Sequence, residues 1–344
     1  MDRLAAEALT KALGEEVTSV EVEPVGTGQV ASCFRLSLTY AADNDLPATM
    51  VAKCPADDPQ SRSVGIALGH YRAEASFYRD LAPGLDIRTP IAYHVSLDEA
   101  THDFLLLLED LAPAEQGDQI AGCDLDTAVL ALSELPKLHV PHWGDPSLEG
   151  VEWLDRSTPE SADMTAMLLA GLIPGFHERF DERLDPEVLA LIDRIVEPFL
   201  AFGRDADLPR TVQHGDYRLD NMLFGTRNGG PPVAVVDWQT VVLGPAMADV
   251  SYFIGAGLVP EERREHEVDL VRMYQRAVTD AGVDLGWDDC WLQYRQFAPA
   301  GLIVAVGASM LVGQTDRGDD MFVAMAERHG RHVLDLDTEA VLSN

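Results

Sequence analysis

Between Thr18 and Lys53 apolar and polar positions alternate in short runs, VEVEPVGTGQVAS, CFRLSLTY and ATMVAKC, parted by Gly or Asp/Asn turns. Period-two alternation broken by turn residues predicts a β-meander. Ahead of it, MDRLAAEALTKALGEE reads as an amphipathic helix and lacks the apolar core of a signal peptide. Val64 to Leu81 carries apolar residues at helical spacing, and two further strand-like runs follow, TPIAYHVSL and FLLLLEDL. Strands, one helix and more strands make a small α+β lobe.

From about Leu111 to Gly122 the chain becomes turn-rich (APAEQGDQIAG), and beyond it helical patterns dominate, including Leu125 to Leu138, Ala162 to Leu172 and Pro186 to Phe202. Two short strands interrupt them, MLF at 222–224 and VAVVD at 233–237, and helices resume from Ala246. The expected fold is therefore α+β and bilobal: a small antiparallel-sheet lobe with one main helix over residues 1–111, and a larger, mostly helical lobe over residues 112–344. A length of 344 residues agrees, because single hydrophobic cores usually stop growing below that size. The uncharged run FAPAGLIVAVGASMLVG nearly reaches bilayer-spanning length, but its Ala and Gly residues and Pro299 suit close packing, so it is expected as a buried helix.

Composition narrows the partners. A formal net charge of −33 repels nucleic acids and anionic membranes and offers no basic stripe for phosphate contacts. Cys33, Cys54, Cys123 and Cys290 lie far apart with no CxxC pair, which suggests neither a zinc knuckle nor a disulfide framework and fits a soluble protein of the reducing cytoplasm. The pairs His139/His142 and His329/His332 have metal-compatible spacing, yet without neighbouring cysteines or an HExxH pattern they read as surface or core histidines.

The densest chemistry is His214-Gly215-Asp216-Tyr217-Arg218-Leu219-Asp220-Asn221, with Asp237 following sixteen residues after Asn221 at the end of the apolar run VAVV. Phosphoryl transfer needs a carboxylate to align the attacking hydroxyl and oxygen ligands to hold Mg²⁺ against the phosphates. An Asp, an Asn five residues on and a second Asp at a strand end supply those groups. The pattern HGDxxxxN followed by DWQ resembles the aminoglycoside phosphotransferase and choline kinase superfamily, most closely its ecdysteroid-kinase-like branch and the phosphotransferase domains fused to acyl-CoA dehydrogenases. That resemblance implies a protein-kinase-like fold, ATP and Mg²⁺ as cofactors, Asp216 as catalytic base, Asn221 and Asp237 as magnesium ligands, and Asp249 as a brace for the catalytic loop. Arg218, two residues after the base, is placed at the transferring phosphate.

Three upstream features belong to the same constellation. Gly26-Thr27-Gly28-Gln29 lies between two strand-like runs, as a loop whose backbone N–H groups cover phosphates would; it lacks the GK[ST] ending of a Walker A loop, and a plain β-turn reads the same way. Lys53, one of only three lysines, ends the strand run ATMVAK where a kinase places the lysine that pairs the phosphates, and Glu74 on the next helix is its expected partner. FLLLLED reads as a strand leading to a hinge or equally as a pure core strand; the resemblance implies that the backbone of Leu108 to Leu111, Glu109 and Leu111 included, meets the adenine. Only about eight residues separate Asp237 from the helix near Ala246, too few for a peptide-docking loop, so the expected substrate is a small-molecule hydroxyl: a sterol-like or other alcohol, a sugar or an aminoglycoside-like compound. Trp153, Phe176, Tyr274, Trp287, Trp291 and Tyr294 lean the expectation toward an acceptor with an apolar face. A nucleotide-binding pseudokinase and an adenylyltransferase on the same fold stay open, and the sequence is silent on oligomeric state.

Overall fold

The computed structural model describes residues 2–26, 30–156 and 158–342. The chain packs as two compact units, each covering its described residues: one of Met1–Gly84, Arg88–Ala114 and Gly225–Thr240, the other of Leu85–Ile87, Glu115–Phe224 and Val241–Asn344.

The first unit opens with helix α1 (Ala6–Leu13), closed by Gly14, whose φ of 75° lets its N–H reach the Thr10 carbonyl. Strands β1 (Val17–Val25), β2 (Ala31–Tyr40) and β3 (Thr49–Pro55) form the expected meander. The helical run expected from Val64 to Leu81 is divided: α2 (Pro59–Ala67) stops before Gly69, whose left-handed φ of 68° starts α3 (His70–Ser76) in a new direction. Strands β4 (Ala92–Asp98) and β5 (Asp103–Glu109) complete an antiparallel sheet of order β1-β2-β3-β5-β4. Leu36, Leu38, Met50, Ala52 and Leu107 project from it onto Leu4, Leu9 and Val17 as one buried cluster, which the alternating pattern dictates.

The chain then enters the second unit through β6 (Glu115–Gln116), α4 (Leu125–His139), α5 (Pro159–Phe180) and α6 (Pro186–Asp205). Asp124, Thr158 and Asp185 cap these helices through their side chains. Strand β7 (Arg210–Gln213) leads into the motif loop, β8 (Met222–Thr226) leaves it, and β9 (Gly229–Val235) belongs to the first unit again. Strand β10 (Val242–Pro245) pairs antiparallel with β7, after which α7 (Met247–Gly257), α8 (Pro260–Asp280), α9 (Trp287–Gln296), α10 (Ala300–Leu311), α11 (Asp316–Asp335) and α12 (Thr338–Leu342) fill the second unit. The apolar run around Gly301 is the twelve-residue α10, buried on most of its surface, and among the described residues no helix is long and apolar enough to cross a membrane.

The sequence reading keeps residues 225–240 in the second lobe; the structure gives them to the first. The reason is packing: Val235 N–H donates to the Arg88 carbonyl at 2.8 Å, and the Trp238 ring stacks on Phe77 with centroids 3.8 Å apart and planes 8° from parallel.

Candidate active site

In the first unit, Lys53 sits on β3 opposite Cys33 and Leu106 and is 8% exposed. Its Nζ lies 2.7 Å from Glu74 Oε2 and 2.7 Å from Asp237 Oδ1. Glu74, buried on α3, also accepts the Trp238 N–H at 3.3 Å, so helix and segment 225–240 are tied through one carboxylate. Burial by itself would depress the Lys53 ammonium, but Asp237 and Glu74 outweigh it and hold the group well above its ordinary value; burial raises Glu74. Asp237 adopts φ of 64°, a left-handed conformation that few non-glycine residues take and that Asp tolerates better than most. Gln239 Nε2 donates to its second oxygen at 3.3 Å.

Of the glycine-loop residues, Gly26 has φ of 75° and open space where a side chain would begin, while Thr27, Gly28 and Gln29 lie outside the described residues. The far end of that loop is anchored by Tyr71, whose hydroxyl donates to the Val30 carbonyl at 2.6 Å. At the expected hinge, Glu109 is already engaged: its N–H donates to the Ile91 carbonyl at 2.8 Å and its carboxylate accepts from Arg88 at 2.7 Å and from Ile91 N–H at 3.1 Å. Leu111 is buried, and its carbonyl accepts from Ala114 N–H.

In the second unit the motif loop is held from three sides. Asp249, buried on α7, accepts the N–H groups of His214 at 2.7 Å and Gly215 at 3.0 Å, and its Oδ2 lies 3.3 Å from His139 Nε2. Tyr217, fully buried, donates to the Ala131 carbonyl of α4 at 2.6 Å. Gln119 accepts from Leu219 N–H at 3.0 Å and donates its own N–H to Asp220 Oδ1 at 2.9 Å. Local structure does the rest: Leu219–Asn221 is a single 3₁₀ turn, which brings Asn221 back over Asp216.

Around Asp216 the donors are dense. Its Oδ1 accepts from Tyr252 Oη at 2.6 Å, Oδ2 accepts from Asn221 Nδ2 at 2.8 Å, and Arg218 Nε lies 3.0 Å from both oxygens. Burial would raise the Asp216 carboxyl, but the Arg218 guanidinium and the Tyr252 hydrogen bond hold it below its ordinary value, so it is a carboxylate at neutral pH. The sequence places Arg218 at the transferring phosphate; the structure spends its guanidinium on Asp216 and, through Nη1 at 3.1 Å, on Asp220. The physical reason is proximity of two buried acids, which would be costly unpaired. Arg317, at the start of α11, reaches Asp220 as well, at 3.3 Å.

Each unit offers an oxygen donor of its own. Both Asn221 amide hydrogens face Asp216, to its carbonyl at 2.9 Å and its carboxylate at 2.8 Å, which leaves the amide oxygen for a ligand. Asp237 supplies a carboxylate whose side chain is 29% exposed. Carboxylate and amide oxygens are the ligands Mg²⁺ takes.

Sequence reasoning missed Tyr252, Gln119 and Arg317. Tyr252 left a signal: it stands three residues after Asp249, the spacing that puts both on one face of α7. Gln119 and Arg317 left none, since both arrive from sequence-distant segments. Three of the aromatic residues expected near an acceptor, Phe176, Tyr274 and Tyr294, are fully buried core, and Trp287 and Trp291 stack on each other with Arg272 over Trp287.

The phosphotransferase enzyme family matches residues 61–285, more than half of the chain. A search of curated proteins found no match. Among solved structures, choline kinase from Cryptosporidium parvum Iowa II superposes with a TM-score of 0.56 at 12% identity, over 94% of this chain and 90% of its own. A thermostable mutant of aminoglycoside phosphotransferase APH(4)-Ia, in ternary complex with ADP and hygromycin B, gives 0.53 at 15% identity, over 97% and 98%. Wild-type aminoglycoside 2'-phosphotransferase-IIIa, as its GDP complex, gives 0.52 at 12% identity, over 91% and 93%. The chain therefore belongs to the phosphotransferase enzyme family, and it shares the protein-kinase-like fold of these aminoglycoside phosphotransferase and choline kinase structures.

Proposed function

We propose that this small-molecule kinase transfers the γ-phosphoryl group of ATP to the hydroxyl of a small organic acceptor, with Asp216 as the base and Mg²⁺ as cofactor. The observation that carries the reading is the buried Lys53 ammonium held between Glu74 and Asp237, an arrangement that directs a lysine toward phosphate and adds little stability. Lys53 pairs the nucleotide phosphates, Glu74 sets its direction, and the loop from Gly26 through Thr27, Gly28 and Gln29 covers them. Leu111 offers backbone to the adenine; Glu109 supports the hinge through Arg88 rather than through a free N–H. Asn221 and Asp237 would hold Mg²⁺, which when bound neutralises phosphate charge.

Asp216 takes the proton of the acceptor hydroxyl as its oxygen bonds to the γ-phosphorus and the bond from that phosphorus to the β–γ bridging oxygen breaks, releasing ADP. Arg218 keeps Asp216 ionised and oriented for this step. The relatives in complex with ADP and hygromycin B or with GDP support a nucleotide and a small acceptor. The test is an ADP-release screen over alcohols, sterols, sugars and aminoglycosides with MgATP. Acceptor-dependent ADP release supports the reading; pyrophosphate release instead would make the protein an adenylyltransferase, and failure of the folded protein to bind MgATP would end it.

A further inference from the structure

A carboxylate offers about four lone-pair positions, two on each oxygen. On Asp216 the Tyr252 hydroxyl takes one on Oδ1 at 2.6 Å, and the Asn221 amide takes one on Oδ2 at 2.8 Å. The single Arg218 Nε hydrogen lies midway, with Nε 3.0 Å from each oxygen. Each oxygen thus carries one donor of its own, the three donors together fix the plane of the carboxylate, and one of its four positions stays open.

Tyr252 has little freedom to do otherwise. It is 4% exposed, and burial together with the adjacent Asp216 carboxylate keeps its phenol protonated and therefore a donor. Its ring packs against His329 of α11 with centroids 5.3 Å apart. His329 is fully buried and neither ring nitrogen has a hydrogen-bond partner among the described residues, so its contribution there is shape. Glycines frame it: a Cβ on Gly255, in the same helix as Tyr252, would stand 2.6 Å from Nδ1, and one on Gly301 of α10 would collide with the ring. Any side chain at either position would push His329 and the tyrosine behind it.

We propose that Tyr252 is a positioning residue for the transfer reaction: its hydroxyl holds Oδ1 of Asp216 and so sets the direction in which the carboxylate meets the acceptor proton. The inference rests on the reading of Asp216 as base. In the step it serves, the acceptor O–H bond breaks, its proton moves to the Asp216 carboxylate, the acceptor oxygen bonds to the γ-phosphorus, and ADP departs with the bridging oxygen.

Tyr252→Phe deletes one oxygen and keeps the ring. With MgATP as substrate and water as acceptor, ADP release should fall about tenfold in kcat, the worth of about 1.4 kcal/mol for a hydrogen bond to a charged group. The KM for ATP should stay within twofold, and the melting temperature close to wild type. Adding Tyr252→Phe to Asp216→Asn should cost nothing further, because the carboxylate it orients is gone. A kcat within twofold of wild type for Tyr252→Phe, or a full additional loss in the double variant, overturns the proposal while Asp216→Asn remains defective. Unimpaired ADP release by Asp216→Asn itself would overturn the base assignment, and this inference with it.

Discussion

The two units hold their charges in opposite ways. In the first, one ammonium, Lys53, faces two carboxylates, Glu74 and Asp237, so acids outnumber the base. In the second, Asp216 and Asp220 are matched by Arg218 and Arg317, and the remaining donors on Asp216 are a phenol and an amide. On the proposed reading, the first arrangement would take a metal with its phosphates, and the second, already balanced, would take a neutral hydroxyl. Buried charge is tolerated only when paired and hydrogen-bonded, which is why each cluster recruits partners from several elements.

The sharpest way to break this contrast is Asp237→Ala, which should abolish magnesium-dependent ATP binding by calorimetry; unchanged MgATP affinity would remove Asp237 from the metal. Asp216→Asn should spare that binding and lower turnover by at least about 10²-fold, the scale of a lost general base. If it weakened nucleotide affinity instead, the division of labour would fail. A smaller effect is expected of Glu74→Gln: Lys53 keeps Asp237 but loses its second anchor, and the KM for ATP should rise about tenfold with kcat less affected, the worth of one charge-assisted hydrogen bond. An unaltered KM would show that Lys53 needs no orienting partner.

The smallest effect is expected of the neutral His329, behind Tyr252. Burial pushes this imidazole down from 6.5 to about 3, so between those values the unfolded chain binds a proton that the folded chain does not. Its contribution to stability is therefore full above about pH 6.5 and declines as the pH falls, by about 1.4 kcal/mol per unit once well below that value. A His329→Leu variant should gain on wild type in denaturant titrations as the pH drops from 7 to 5. A difference independent of pH would mean that the imidazole titrates normally.

The motif loop was legible because its working parts are local. Asp216, Arg218 and Asn221 lie within six consecutive residues, and a 3₁₀ turn is enough to fold Asn221 back onto Asp216. Lys53 was legible for a related reason, a rare residue at the end of an apolar strand, and Glu74 because apolar neighbours fix which face of its helix is buried. Sequence pattern sees periodicity over a turn or a pleat, and these residues reveal themselves at that range.

Tertiary structure alone decided the rest. It joined Lys53 to Asp237 across 184 residues, moved segment 225–240 into the first unit through the Phe77–Trp238 stack, and divided one expected helix at Gly69. It buried aromatics expected at the acceptor, turned Arg218 onto Asp216 and Asp220, and brought Tyr252 to Asp216. Each of these depends on which surfaces meet when helices and sheet pack, and a chain's local periodicity sets which face is apolar without naming the partner it will bury against.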